Sequence, residues 1–343
     1  MNTQNLLIGA LVVQLGLAAF TWRPGNNEIA PATSLIEAKK ESITAIEISR
    51  KPDEGKEADP VKLTKEGDKW VVASASNYPA DQAKIDELLD NLTKLKVRGA
   101  IATQATSHEA LHVGVNDYGK KLSLTIDGAT QGFVLGAAAS NSLHVRKDGA
   151  AEVFLARGVS EWSIRDTDKS YFKAEYIDLK MEELSSLSLT NANGTLTFAR
   201  GEGDTWSLQA IPAGETADGE KVASLVRKLT KLRMNEPVGT TKDPSMGLDG
   251  KVRVSWTKVD GQTSTTAGFD IGADIENDVF LKSDENNFVV RVSKYAVEEF
   301  KSATIASLLA GATPPDDESG GMPAGMPPGM MPGMPPGMMP GMP

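Results

Sequence analysis

Residues 80–97, ADQAKIDELLDNLTKLKV, align without a gap over residues 217–234, ADGEKVASLVRKLTKLRM. Such a repeat constrains the fold more than any short motif, because whatever structure one copy adopts the other must also be able to adopt. Both copies read as amphipathic helices. Ile85, Leu88, Leu89, Leu92 and Leu95 form one apolar stripe, and Val222, Leu225, Val226, Leu229 and Leu232 form the other. Asp81 and Asp218 stand where an N-cap or first-turn acid belongs.

The match extends outward from the helices. Gly67-Asp68-Lys69-Trp70 pairs with Gly203-Asp204-Thr205-Trp206, a turn entering a strand with a buried tryptophan. The alternating segment beginning at Ile43 pairs with that beginning at Leu184, and Gly132–Gly136 pairs with Gly268–Gly272. The offset stays at about 136 residues. Each unit therefore reads strand, strand, strand with Trp, long helix, short turn, then about four strands. The last four are KLSLTI, GFVLG, SLHV and EVFLA in the first unit, and VRVSW, AGFDIG, VFLK and FVVRV in the second. This is an α+β class: two tandem repeated domains, each an antiparallel sheet covered by one long helix. Their bounds are 41–178 and 179–310. Trp70 and Trp206 are expected as core anchors, and Asn193-Gly194 as a hairpin turn rather than a glycosylation acceptor.

The ends differ from the body. No charge occurs from Leu6 to Trp22, and a helix of that length spans about 25 Å, just short of the ~30 Å hydrocarbon core. Residues 1–22 are expected to form an uncleaved signal-anchor, because no A-x-A site follows and no Lys or Arg precedes the apolar run. A cleaved signal peptide is the competing reading. Residues 23–40 form a linker, and Arg23, Lys39 and Lys40 after the span mildly oppose an outside location for the body. Residues 311–343 hold eight of the twelve methionines among Pro and Gly, the composition of a disordered tail. Weak sticky contacts suit that tail better than Cu(I) capture by thioethers, since His and Cys co-ligands are missing from it.

A net charge of −10 and the lack of a basic patch argue against a nucleic-acid partner. The chain has no cysteine, which excludes disulfides and thiolate chemistry and suits an exported protein. It has three histidines, and two of them lie in HEALH, residues 108–112. On a helix, H-E-x-x-H sets His108 and His112 on one face toward a zinc ion, with Glu109 as general base. No other catalytic or cofactor-binding signature is present, and no cofactor is expected.

Two such units behind a single N-terminal span, with D-x-W leading to the helix and G-[LV] leading to a strand, resemble the family known as domain of unknown function 4340. The resemblance covers residues 40 to 310. It implies a membrane-anchored protein, encoded beside ABC transporter subunits of the gliding-motility type, and hence an extracytoplasmic accessory subunit at the inner membrane. The family has no established catalytic residues to carry over. The Met-Pro-Gly tail departs from its pattern.

The repeat supplies a control for HEALH. Val113-Gly114-Val115 lies over Met246-Gly247-Leu248, and the second copy has Lys242-Asp243-Pro244-Ser245 in place of HEALH. The shared element is expected to be a short helical turn, opened by Thr106-Ser107, ended by Gly114 and needing no metal. No third histidine follows, and Glu152 or Asp127 would complete a zinc site only by coincidence. The leading expectation is a non-enzymatic, membrane-anchored interaction protein on the periplasmic side, with an ABC-type complex as partner. The alternatives are a zinc hydrolase using His108, Glu109 and His112, and a module binding a cell-envelope ligand in the cleft between the repeats.

Overall fold

The computed structural model describes residues 31–52, 59–139, 141–260 and 263–311. The first unit contains β1 (Thr33–Ser34), β2 (Ile43–Arg50), β3 (Val61–Glu66), β4 (Lys69–Val72), β5 (Tyr78–Pro79), α1 (Gln82–Thr93), β6 (Lys96–Val97), β7 (Lys120–Ile126), β8 (Ala129–Ala138), β9 (Ser142–Lys147) and β10 (Val153–Arg157). The second contains β11 (Glu175–Asp178), β12 (Leu184–Asn191), β13 (Gly194–Arg200), β14 (Trp206–Leu208), α2 (Gly219–Thr230), β15 (Lys231–Gly239), β16 (Val252–Asp260), β17 (Thr263–Ile275), β18 (Asp278–Ser283), β19 (Val289–Ser293) and α3 (Lys294–Ser302).

The first sheet runs β1-β6-β10-β9-β8-β7-β2-β3-β4-β5, and the second runs β11-β15-β19-β18-β17-β16-β12-β13-β14. Position for position the two orders correspond, apart from the extra edge strand β5. Every pairing is antiparallel. Strands β7–β10 and β16–β19 fall on the segments expected from their alternation.

Each helix lays its stripe on the apolar face of its sheet. Ile85, Leu88, Leu89, Leu92 and Leu95 are buried, as are Val222, Leu225, Val226, Leu229 and Leu232, and Trp70 and Trp206 are buried with them. Asp81 caps α1 by accepting from the Ala83 N–H at 3.1 Å, and Asp218 caps α2 by accepting from Glu220 and Lys221. Both helices stop inside the shared L-T-K-L rather than running through it. There the threonine hydroxyls donate back to carbonyls one turn earlier, Thr93 to Leu89 and Thr230 to Val226. Leu95 and Leu232 stay buried although they lie beyond the helix, because the chain turns at once into β6 and β15.

Four features differ from the sequence reading. Strand β1 lies in the stretch read as linker and pairs with β6. Strand β11 precedes residue 179 and pairs with β15, so the second sheet recruits its edge from before that boundary. Helix α3 is a second helix in the second unit, buried through Val297 and Phe300. The Asn193-Gly194 hairpin turns on Ala192-Asn193, with Asn191 opposite Gly194. Among the described residues no helix is long and apolar enough to cross a membrane. The expected anchor at 1–22 and the tail beyond Gly311 lie outside the described residues.

The units meet at an aromatic seam. The Tyr78 ring packs edge-on against Phe172 at 5.5 Å and against Phe288 of the second unit at 4.8 Å. Asn286 donates to the Tyr78 hydroxyl, and the Ser76 hydroxyl donates to the Val238 carbonyl at 2.9 Å. Ser76 and Asn77 both have φ of 58°, which turns the chain sharply enough to drive Tyr78 into the seam. Burial raises the Tyr78 phenol above its ordinary value, so it stays a neutral donor and acceptor at the seam. Tyr78→Ala is expected to cost about 3 kcal/mol and to split one calorimetric unfolding transition into two. A single unshifted transition would show that the seam does not couple the units.

Candidate functional site

The HEALH segment is a capped turn lying on the sheet face opposite α1. Residues Ala105–Ser107 form a single 3-10 turn, and the chain closes with Val113 N–H bonded to the His108 carbonyl and His112 N–H to the Glu109 carbonyl. That bond pair, with His112 at φ 54°, is the Schellman arrangement of a helix end. The left-handed cap is therefore His112 and not Gly114, contrary to the expectation from sequence. Gly114 instead makes room for a side chain, since a Cβ there would collide with the Glu109 carboxylate.

This geometry commits the three groups that a zinc site would use. The His108 Nε2–H donates to the Ala151 carbonyl at 2.9 Å. His112 Nδ1 meets Asp117 Oδ2 at 2.5 Å, and Glu109 Oε1 accepts the backbone N–H groups of Val115 and Asn116. The third histidine, His144, donates from Nδ1 to the Leu111 carbonyl at 3.0 Å. Each side chain is thus turned to its own partner rather than toward a common point. Among the described residues no group of three His, Cys, Asp or Glu is placed to hold a metal ion, and neither Glu152 nor Asp127 joins the histidines.

The turn is held by packing as well. Val113, Val134 and Val153 make a small apolar cluster of their own, joined by Leu111 and Tyr118. The buried Arg146 donates from Nε to the Val113 carbonyl at 2.8 Å. The Leu111 and His112 carbonyls sit where a Cβ of Gly136 would be, and the Met246 carbonyl sits where a Cβ of Gly272 would be. In the second unit Gly247 takes the left-handed cap at φ 62°. Leu111-His112 thus occupies the place of Met246-Gly247, a shift from the register read in the sequence. Asp117 is held below the ordinary carboxylate range, first by the Lys51 ammonium and then by His112.

The expected cleft between the units is largely filled by Tyr78, Phe172 and Phe288. A pocket of about 450 Å³ remains beside it, lined by Ser76, Asp168, Phe172 and Pro237 among others. More exposed chemistry lies elsewhere. In each unit the segment after the last strand of the sheet carries a strongly exposed aromatic residue, Trp162 at 77% and Tyr295 at 93%. Each lines a pocket shared with residues of that unit's covering helix. The Tyr295 pocket, about 840 Å³, has Leu232, Met234 and Ala296 as its apolar part and a rim of ion-paired groups, Lys228 with Glu299 and Arg233 with Glu175. The Trp162 pocket, about 430 Å³, is more polar, with Lys84, Glu87 and Arg165 around the indole. Sequence reasoning passed over both aromatics, and the signal available for Trp162 was its polar surroundings, Ser160-Glu161-Trp162-Ser163.

A family model described as Domain of unknown function (DUF4340) matches residues 70–251, just over half of the chain, from Trp70 of the first sheet to the threshold of β16. No curated protein and no solved structure matches the chain.

His112→Gly tests the role of the turn. Relief of left-handed strain, about 1 kcal/mol, offsets the extra unfolded-state entropy of glycine, about 0.5–1 kcal/mol. Stability at pH 7 is expected to change by less than about 1 kcal/mol. Because the Asp117 carboxyl is depressed, its contribution is present above the unfolded carboxylate value and lost as pH falls through the folded one. Lys51 is the larger cause, so the acid limb of the melting curve should persist in the variant. A loss of several kcal/mol at pH 7 would show that the imidazole itself holds the loop.

Proposed function

The chain belongs to the DUF4340 family, and we propose that it is a non-enzymatic interaction protein whose two units are copies of one duplicated module. Residues 1–22 anchor it in the inner membrane, and the body stands on the extracytoplasmic side. Its partners are membrane proteins of an ABC-type complex. This last element rests on the family resemblance, and the correspondence of strand order supports the duplication.

The observation that carries the interaction reading is the Tyr295 pocket. A tyrosine with 93% of its surface exposed at the start of a helix, beside Leu232, Met234 and Ala296, is a poor use of an aromatic in an isolated chain. It is the kind of residue that anchors a partner, since tyrosine supplies a large apolar ring with a polar tip at low entropic cost. The ion-paired rim suits an interface whose edge stays wet. In the HEALH turn, by contrast, the side chains that chemistry would need serve to fasten a loop.

Affinity purification from native membranes in mild detergent tests this reading. Permease and ATPase subunits are expected to co-purify with the full chain, and Tyr295→Ala is expected to cost about 2 kcal/mol of binding, or roughly thirtyfold. Equal recovery of partners with the variant would remove the pocket from the interface. Recovery of the chain alone would remove the proposed partners.

A further inference from the structure

We propose that the pocket between α1 and the segment 161–171 is a saccharide-binding subsite with the Trp162 indole as its platform. Of the four described tryptophans, Trp70, Trp206 and Trp256 are buried, whereas Trp162 is 77% exposed. Its backbone is nevertheless fixed. The buried Lys120 ammonium takes the carbonyls of Glu161 and Ile164 at 3.1 and 2.6 Å, on either side of the indole, and Ile164 is fully buried. The sheet thus holds the short 3-10 turn Glu161–Ser163 rigidly while its aromatic ring projects outward. A ligand meeting this ring does not have to order the backbone that carries it.

The surroundings select the ligand class. The opposite wall comes from α1 and carries Lys84 and Glu87, and Arg165 stands beside the indole. The Lys84 ammonium is committed to the Phe172 carbonyl at 2.9 Å. Among the described residues, neither the Glu87 carboxylate nor the Arg165 guanidinium is bonded to another side chain. A pyranose ring has an apolar C–H face that stacks on an indole and a rim of hydroxyls. Those hydroxyls donate to a carboxylate and accept from a guanidinium. A pocket of about 430 Å³ has room for a disaccharide-sized group. The side chain of a protein partner would bring its apolar surface against these two charged groups, which makes it the poorer fit. The site is separate from the Tyr295 pocket, so either assignment can fail without the other.

The test is titration of the full chain with chitohexaose, cellohexaose and maltohexaose, followed by tryptophan fluorescence and calorimetry. At least one is expected to bind with sub-millimolar affinity and to shift the emission of the exposed indole. Trp162→Ala is expected to weaken that binding about tenfold or more, Trp162→Tyr to retain part of it, and Glu87→Gln to weaken it. Because these side chains lie at the surface, unchanged melting temperatures confirm that the variants are folded. Binding by none of the three at millimolar concentration would overturn the proposal, as would binding that Trp162→Ala leaves intact. Loss of a co-purifying protein in Trp162→Ala, with no sugar bound by the wild type, would assign the pocket to a protein partner and overturn it as well.

Discussion

Everything in this fold depends on covering one apolar face of each sheet with helix, α1 in the first unit and α2 together with α3 in the second. An antiparallel sheet that is apolar on a single side is unstable in water until that side is closed. Here five stripe residues on or just after each of α1 and α2 do most of the closing, and all ten are buried. Val297 and Phe300 of α3 add to it in the second unit. At roughly 1.5–3 kcal/mol for each fully buried large side chain, these contacts outweigh the capping and turn interactions around them. The caps and back-bonding threonines set where the helix begins and ends, and so where the chain is released into β6 or β15. The strand order then follows, because the segments on either side of the helix join opposite ends of one sheet, β5 and β14 at one edge and β6 and β15 just inside the other edge strands, β1 and β11.

The uncovered faces are handled differently. In the first unit the HEALH turn seals part of the outer face over Val134 and Val153, and Gly136 lets its backbone approach closely. In the second unit the Pro244–Met246 turn does the same over Gly272. The recurrence of a glycine beneath each turn explains a feature of both copies that otherwise looks like a strand defect. The motif that looks most catalytic is thus the local form of a packing device for which the second copy uses unrelated residues.

Much of this was legible in the sequence, for identifiable reasons. The helices and the eight strands that follow them were readable because burial imposes periods of 3.6 and 2 residues, and Asp81 and Asp218 marked the helix starts. The N-terminal edge strands β1 and β11 were not legible, since short edge strands carry almost no alternation. The end of the HEALH turn was misplaced because glycine is the usual left-handed residue and a histidine at φ 54° leaves no compositional trace. The exposure of Trp162 and Tyr295 was hidden for a related reason. An aromatic residue in a sequence reads as core. The polar neighbours of Trp162 were the one hint against that, and for Tyr295 the tertiary structure alone reveals that it is left uncovered.

If the chain binds through the segments that follow each sheet, and HEALH only fastens a loop, then the histidines have no metal to hold. Zinc analysis of the full chain purified without chelators, beside a His112→Ala variant, decides the matter. Sub-stoichiometric zinc in both proteins is the expected result. One zinc per chain, lost in the variant together with a hydrolytic activity, would contradict it.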